Sequence, residues 1–323
     1  MASTFQNRIE NTPTETLQGI GIVVAACAVI PGLDAIGKIL VTEHGLSVGE
    51  VSLYRFVLQV ALTLPLGFAF EGAMVLRSPH TGLNLLRGVC LGVTGLCLLG
   101  GLRFMPLGDT IAIFLINPMI LTLFSALFLK EQVGWRRVAA VMVGFAGALV
   151  IIRPSYAVFG PAALLPAFAA AFIAIYLILS RQASRGATPM AMQFWAGLGA
   201  SIVILGAMGL GHPLSVAELS FHIPESAVAI ALILTTGVFG TAAHLLFVAA
   251  YKRAPASVLA PFGYVEIVSA VLLGFILFGE LPDAPKWFGM AVIVGSGIYI
   301  FWREQRTARV TPRTDVPKPP AMH

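Results

Sequence analysis

RFMPLGDTIAIFLINPMILTLFSALFLKE (103–131) and KRAPASVLAPFGYVEIVSAVLLGFILFGE (252–280) align without a gap. The offset of 149 residues places Arg103 on Lys252, Pro106 on Pro255 and Glu131 on Glu280. Each stretch opens with a basic residue and a proline, runs through apolar sequence, and stops at a glutamate. A membrane-crossing helix needs about 20 apolar residues, and both stretches meet that length. The same offset places Asn117 on Glu266, one polar residue near the centre of each run. Small residues recur in the helices that follow, Gly144 and Gly147 after the first stretch, Gly295 and Gly297 after the second.

The rest of the chain agrees with a lipid environment. Of 323 residues, 58% are hydrophobic and 11% charged, against roughly 25% charged in soluble domains. Ten apolar runs are long enough, or nearly so, to span: 17–41, 48–70, 83–102, 108–129, 134–152, 159–180, 189–210, 227–250, 255–278 and 285–302. The fold class expected is an all-α membrane protein of ten helices. The first run is too long for a signal-peptide core, so it is read as a spanning helix.

Lys and Arg test this count. Counting Arg87, Arg136, Arg137 and Lys286, near span ends, with the adjoining connections, fifteen of the twenty fall in the N-terminal segment, the even-numbered connections and the tail. Three fall in the odd-numbered connections, and Lys38 and Arg55 lie deeper within spans. Cytoplasmic loops carry the positive excess, so both termini are expected in the cytoplasm of a cell with the chain in its inner membrane. The same asymmetry accounts for the net charge of +5, and no nucleic-acid partner is implied. The tail, 303–323, is basic and proline-rich and is expected to be disordered.

Five spans per half is an odd number, so the halves cross the bilayer in opposite senses. The expected organisation is an N-terminal segment (1–16), two five-helix repeats (17–152 and 153–302) and the tail. Inverted repeats of this kind are a transporter architecture, with the substrate bound between repeats near mid-membrane. Three stretches, AYKRAPASVLAPFGYVEIVSAVLLGFILFGE (250–280), LINPMILTLFSALFLKEQVGWRRVAAVMVGFAGALVII (115–152) and the arginine of LYRFV (53–57), resemble the EamA-type drug/metabolite transporters. The resemblance covers residues 17–302. It implies a central cavity lined mainly by the first, third, fourth, sixth, eighth and ninth helices, and a small polar or zwitterionic metabolite as cargo, exported or taken up.

Polar residues inside the spans are the candidate site. A charge at the centre of a spanning helix costs on the order of 2.5–3.5 kcal/mol on insertion scales. Glu266 therefore either faces a wet cavity, where it meets a cation or carries a proton, or serves as protonated packing glue. Asn117 would supply hydrogen bonds from the opposite repeat, and Tyr264, Trp195 and Tyr176 stacking surfaces with a polar handle. Asp34 and Lys38 lie one turn apart and can pair. Asp34 and Arg55 lie at similar depth, so a structural pair or a gate is expected among these three, with Lys38 free to snorkel outward. His244 can relay protons or bond a carbonyl. Pro31, Pro118 and Pro261 each leave a helix carbonyl without its usual donor.

Other readings are weaker. Cys27, Cys90 and Cys97 show no metal or redox spacing and read as small packing residues. GLSVG (45–49) matches a nucleophile-elbow pattern, which has meaning only between a strand and a helix. It falls instead in a short connection of a helical chain, and no intramembrane hydrolase set accompanies it. No cofactor motif is present. A membrane scaffold is the remaining alternative, disfavoured by the near-absence of soluble loops. Gly88 and Gly92, spaced as GxxxG, are expected to permit close helix packing. The oligomeric state, monomer or homodimer, is open at this level.

Overall fold

The computed structural model describes residues 13–128, 135–183, 187–211, 213–224, 226–254 and 256–310. They form α1 (Pro13–Thr42), α2 (Val48–Glu71), α3 (Thr81–Phe104), α4 (Leu107–Phe114), α5 (Asn117–Phe128), α6 (Trp135–Phe159), α7 (Leu165–Ala183), α8 (Pro189–Gly211), α9 (Ala227–Arg253), α10 (Ala256–Leu259), α11 (Val265–Phe278) and α12 (Ala284–Val310). Short 3-10 turns join several of them, and no strand occurs among the described residues. Eight helical runs are long and apolar enough to cross a membrane. One of these, Val138–Ser180, is 43 residues long and contains the 3-10 turn Gly160–Leu164; Phe262–Phe278 is a shorter apolar helix. The chain is a multi-pass, all-α membrane protein.

Two of the expected spans are broken rather than continuous. The span opening at Leu107 stops at Phe114 and restarts at Asn117. Pro118 has no N–H to give to the Phe114 carbonyl one turn back, and the Asn117 side-chain amide donates to that carbonyl instead, at 3.1 Å. The span opening at Ala256 passes through a 3-10 turn, Ala260–Tyr264, and becomes α-helical again at Val265. Both breaks fall at the same offset, so Asn117 and Glu266 each sit in the first turn of a restarted helix.

Helices pair in a regular way. α1 packs along α9, α3 along both α7 and α8, α2 against α8 and α9, and α6 against α12. α11 packs on α1 and α4, and α5 on α7. The closest approach is between α3 and α8, where Gly88 faces Gly199 and the Ala196 carbonyl, and Gly92 faces Ala200. A side chain at any of these positions would meet backbone. This is the GxxxG packing expected from the sequence.

The connections gather at two ends. At one end, Ser47 donates to the Ser220 carbonyl (2.7 Å), the Glu50 carboxylate accepts the His222 N–H, and Arg103 pairs with Glu218 at 3.4 Å. At the other, the Met190 N–H donates to Glu71 (3.4 Å), and Gly19 lies against the turn between Ala250 and Ala254. α12 continues through Val310, eight residues into the tail expected to be disordered. Its Arg, Glu and Gln are good helix formers. Residues 311–323 lie outside the described residues, as does Glu131.

Packing at α3–α8 predicts that Gly88→Val destabilises the protein by about 1–3 kcal/mol, lowering the melting temperature in detergent. Gly21 has open space around it, and Gly21→Ala should leave melting unchanged or raise it slightly.

Candidate functional site

Lys38 is buried on α1, and its ammonium finds three partners. It donates to the Met105 carbonyl at 2.9 Å, forms a tight ion pair with Glu280, and stands 4.7 Å over the Phe278 ring. The local sequence explains the geometry. α11 ends at Gly279, whose φ of +67° is a left-handed conformation that glycine adopts without a Cβ penalty. That stop turns Glu280 back toward the bundle, where its second oxygen accepts the Leu107 N–H at 2.9 Å and caps α4. The expectations that Lys38 pairs with Asp34 or snorkels are both corrected. An ammonium needs a carboxylate and acceptors at its own depth, and the end of α11 supplies them.

Asp34, one turn earlier, pairs with Arg55 of α2 at 3.3 Å, as the sequence suggested. Asp34 is 4% exposed and lies fully inside the bundle. Beside the pair is a cavity of about 20 Å³, lined from α1, α2, α3 and α9, with Ser52, Gly95 and Thr236 in its wall. That volume is about the size that holds one water molecule. Of its walls, α1, α3 and α9 are among the helices that the family resemblance names as lining a central cavity, and α2 is not.

Glu266 is buried, 8% exposed, in the first turn of α11. It makes no ion pair among the described residues, and its helix packs against α1, which carries Asp34. No hydrogen bond joins it to Asn117: α11 packs on α1 and α4, whereas α5 packs chiefly on α7. The element that α11 brings beside the glutamate is therefore α1, which carries Asp34 and, through it, the ion pair to Arg55 of α2.

The other candidates separate. Tyr264 is buried with its ring and hydroxyl against Gly297 of α12. Residues two apart on a helix do not share a face, so it does not join Glu266. Its hydroxyl and the indole Nε1 of Trp195 are buried without a hydrogen-bond partner. Trp195 meets Phe194 edge-to-face at 5.3 Å. Tyr176 sits under Arg87, its hydroxyl accepting from that guanidinium at 2.9 Å. The His244 side chain lies outside the described residues.

Arg87 is the residue that sequence reasoning misplaced. Assigned to a connection, it is instead 3% exposed inside α3. It donates to Asn84 and to the Met192 carbonyl of α8 (3.3 Å) as well as to Tyr176. The signal was present: it stands within LNLLRGVC (83–90), inside the apolar run.

The GLSVG serine has a structural task. Ser47 caps α2 by accepting the Glu50 N–H (3.0 Å), and Glu50 returns the bond by accepting the Ser47 N–H (2.7 Å). This is a capping box. Asp109 of α4, fully buried, pairs with Lys286 at 2.7 Å. The three cysteines are free thiols, and no group of three metal-ligating side chains converges among the described residues.

The Lys38–Glu280 pair predicts strong non-additivity. Lys38→Met leaves a half-buried carboxylate without its cation and should cost about 3 kcal/mol; Glu280→Gln should cost a comparable amount. The double variant should recover a large part of the summed loss in a double-mutant cycle read by thermal melting.

Comparison with known proteins places this geometry. The model of the EamA-like transporter family matches residues 17–153 and again 160–302. A riboflavin transporter of Brucella anthropi is 29% identical over 89% of this chain and 99% of its own length. A riboflavin transporter of Vibrio cholerae is also 29% identical, over 91% and 96%. An S-adenosylmethionine uptake transporter of Rickettsia felis is 24% identical over 90% and 94%. One crystal structure superposes with a TM-score of 0.60 at 18% identity, covering 91% of this chain and 98% of that one. The chain is a transporter rather than an enzyme, and it belongs to the EamA-like transporter family.

Proposed function

We propose that the protein is an inner-membrane secondary transporter that moves a small polar or zwitterionic metabolite, of the cofactor-like class to which riboflavin and S-adenosylmethionine belong, by alternating access. The observation that carries this reading is the trio of Asp34 and Glu266, both buried on the packed helices α1 and α11, with the half-buried Arg55 paired to Asp34. It joins α1 and α2 of the first half to α11 of the second. Asp34 has its guanidinium, whereas Glu266 makes no ion pair among the described residues, so the trio has a place for a further positive partner. In a low-dielectric interior that partner is a cationic group of the cargo or a coupling proton.

The architecture under this reading is ten crossings in two inverted repeats. Counting Val138–Ser180 as two crossings and Phe262–Phe278 as one more brings the eight long runs to ten. The pairing of helices supports it: α1 with α9 is mirrored by α7 with α3, and α1 with α11 by α7 with α5. The matched breaks at Asn117 and Glu266 and the double family match support it too. Discontinuous helices at corresponding places in two halves mark transporter binding sites. With both termini cytoplasmic, the end bearing Lys38–Glu280 and Arg103–Glu218 faces outward. Those pairs, with Asp34–Arg55, then close the outer gate.

The test is flux into proteoliposomes holding the purified chain, with labelled riboflavin and S-adenosylmethionine as probes. Wild type should carry at least one of them. Glu266→Gln should lower that flux about tenfold or more, the value of a charge-assisted contact. Flux at the wild-type rate by Glu266→Ala would remove the glutamate from the site. An imposed proton gradient that drives accumulation in wild type but not in Glu266→Gln would assign the proton to this residue; no response to the gradient leaves it with the cargo.

A further inference from the structure

We infer that Arg87 forms a second binding station, one that recognises an anionic oxygen group, carboxylate or phosphate, on the transported molecule. The inference rests on the transporter reading above and adds a pole of opposite charge to the acidic trio. Arg87 is 3% exposed, deep between α3, α7 and α8, and no acid among the described residues pairs with it. Its contacts are all neutral acceptors: the Asn84 side-chain oxygen, the Met192 carbonyl and the Tyr176 hydroxyl, with the Tyr176 ring at 4.7 Å.

The contrast with the other intramembrane cations is the argument. Lys38 has Glu280, Arg55 has Asp34, and Lys286 has Asp109. A buried charge is costly unless it is paired, and the protein meets that condition at these three places. At Arg87 it supplies dipoles and leaves the charge uncompensated. One guanidinium donor, Nε, is buried with no acceptor. One turn beyond Met192 on α8, the Trp195 indole N–H is a second buried donor without an acceptor. At Arg87 the missing acceptor coincides with an unneutralised charge. An oxyanion there supplies both, and the planar guanidinium fork fits a carboxylate or phosphate in two-point contact.

The placement suits a carrier. Arg87 lies toward the end of the bundle opposite Lys38–Glu280, on the helices that form the closest interface of the fold. A zwitterion passing from the acidic trio toward that end would meet the guanidinium with its anionic pole. Tyr176 and Asn84 hold the guanidinium in place, so the cargo finds it already oriented.

The experiment measures binding to the purified full chain in nanodiscs with two matched pairs of probes. Riboflavin and flavin mononucleotide differ by one phosphate; S-adenosylmethionine and its decarboxylated form differ by one carboxylate. Wild type should prefer the anionic member of at least one pair by about tenfold. Which pair shows the preference names the anion. Arg87→Gln should bring that ratio to about one while leaving affinity for the member without the anion unchanged. Arg87→Lys keeps the charge without the fork and should retain part of the preference, which serves if the glutamine variant does not fold. A preference retained in Arg87→Gln, or absent from wild type in both pairs, overturns the station. The transporter reading itself is tested by the wild-type flux into proteoliposomes, so the two can fail separately.

Discussion

One ammonium group organises this molecule. Lys38 would be a costly charge inside an apolar helix, yet it is held by the Met105 carbonyl, the Glu280 carboxylate and the face of Phe278. Through these contacts α1 is tied to the junction of α3 with α4 and to the end of α11. The Glu280 carboxylate also accepts the Leu107 N–H and so caps α4. Three consecutive residues, Phe278, Gly279 and Glu280, thus provide a ring, a left-handed stop and an anion for a lysine 242 residues away. Asp34 lies one turn from Lys38 on the same helix, so whatever fixes α1 also sets the position of the acidic trio.

A second constraint is the backbone. In hydrocarbon each unpaired N–H or C=O costs several kcal/mol, so a helix may break only where a substitute exists or where the break is inside protein. At Phe114 the substitute is the Asn117 amide. The break around Ala260–Tyr264 is likewise inside the bundle, between α10 and α11. Asn117 therefore spends one of its donors on its own chain. At the second break the glutamate is buried in the first turn of the restarted helix, on an element packed against α1 and α4.

Polar chemistry in the interior falls into two kinds. Paired cations lie toward one end of the bundle and clamp helices together. The unpaired guanidinium of Arg87 lies toward the other, surrounded by neutral acceptors. Among the described residues three intramembrane cations are thus neutralised by carboxylates, and a fourth is held by dipoles alone.

Helix content, spans and close-packing glycines were legible in the sequence because they follow from composition and period, which are local. So was the Asp34–Arg55 pair, since equal depth on consecutive helices brings the two together. The partners of Lys38, the company of Glu266 and the burial of Arg87 were not. Each depends on which helices become neighbours, and offset alone suggested Asn117 for Glu266 where packing set α11 against α1 and α4. A linear chain records how deep a residue sits in the membrane; only the lateral arrangement of helices decides which charge it meets there, because electrostatic and hydrogen-bond partners are set by distances of a few ångströms across the bundle rather than along the chain.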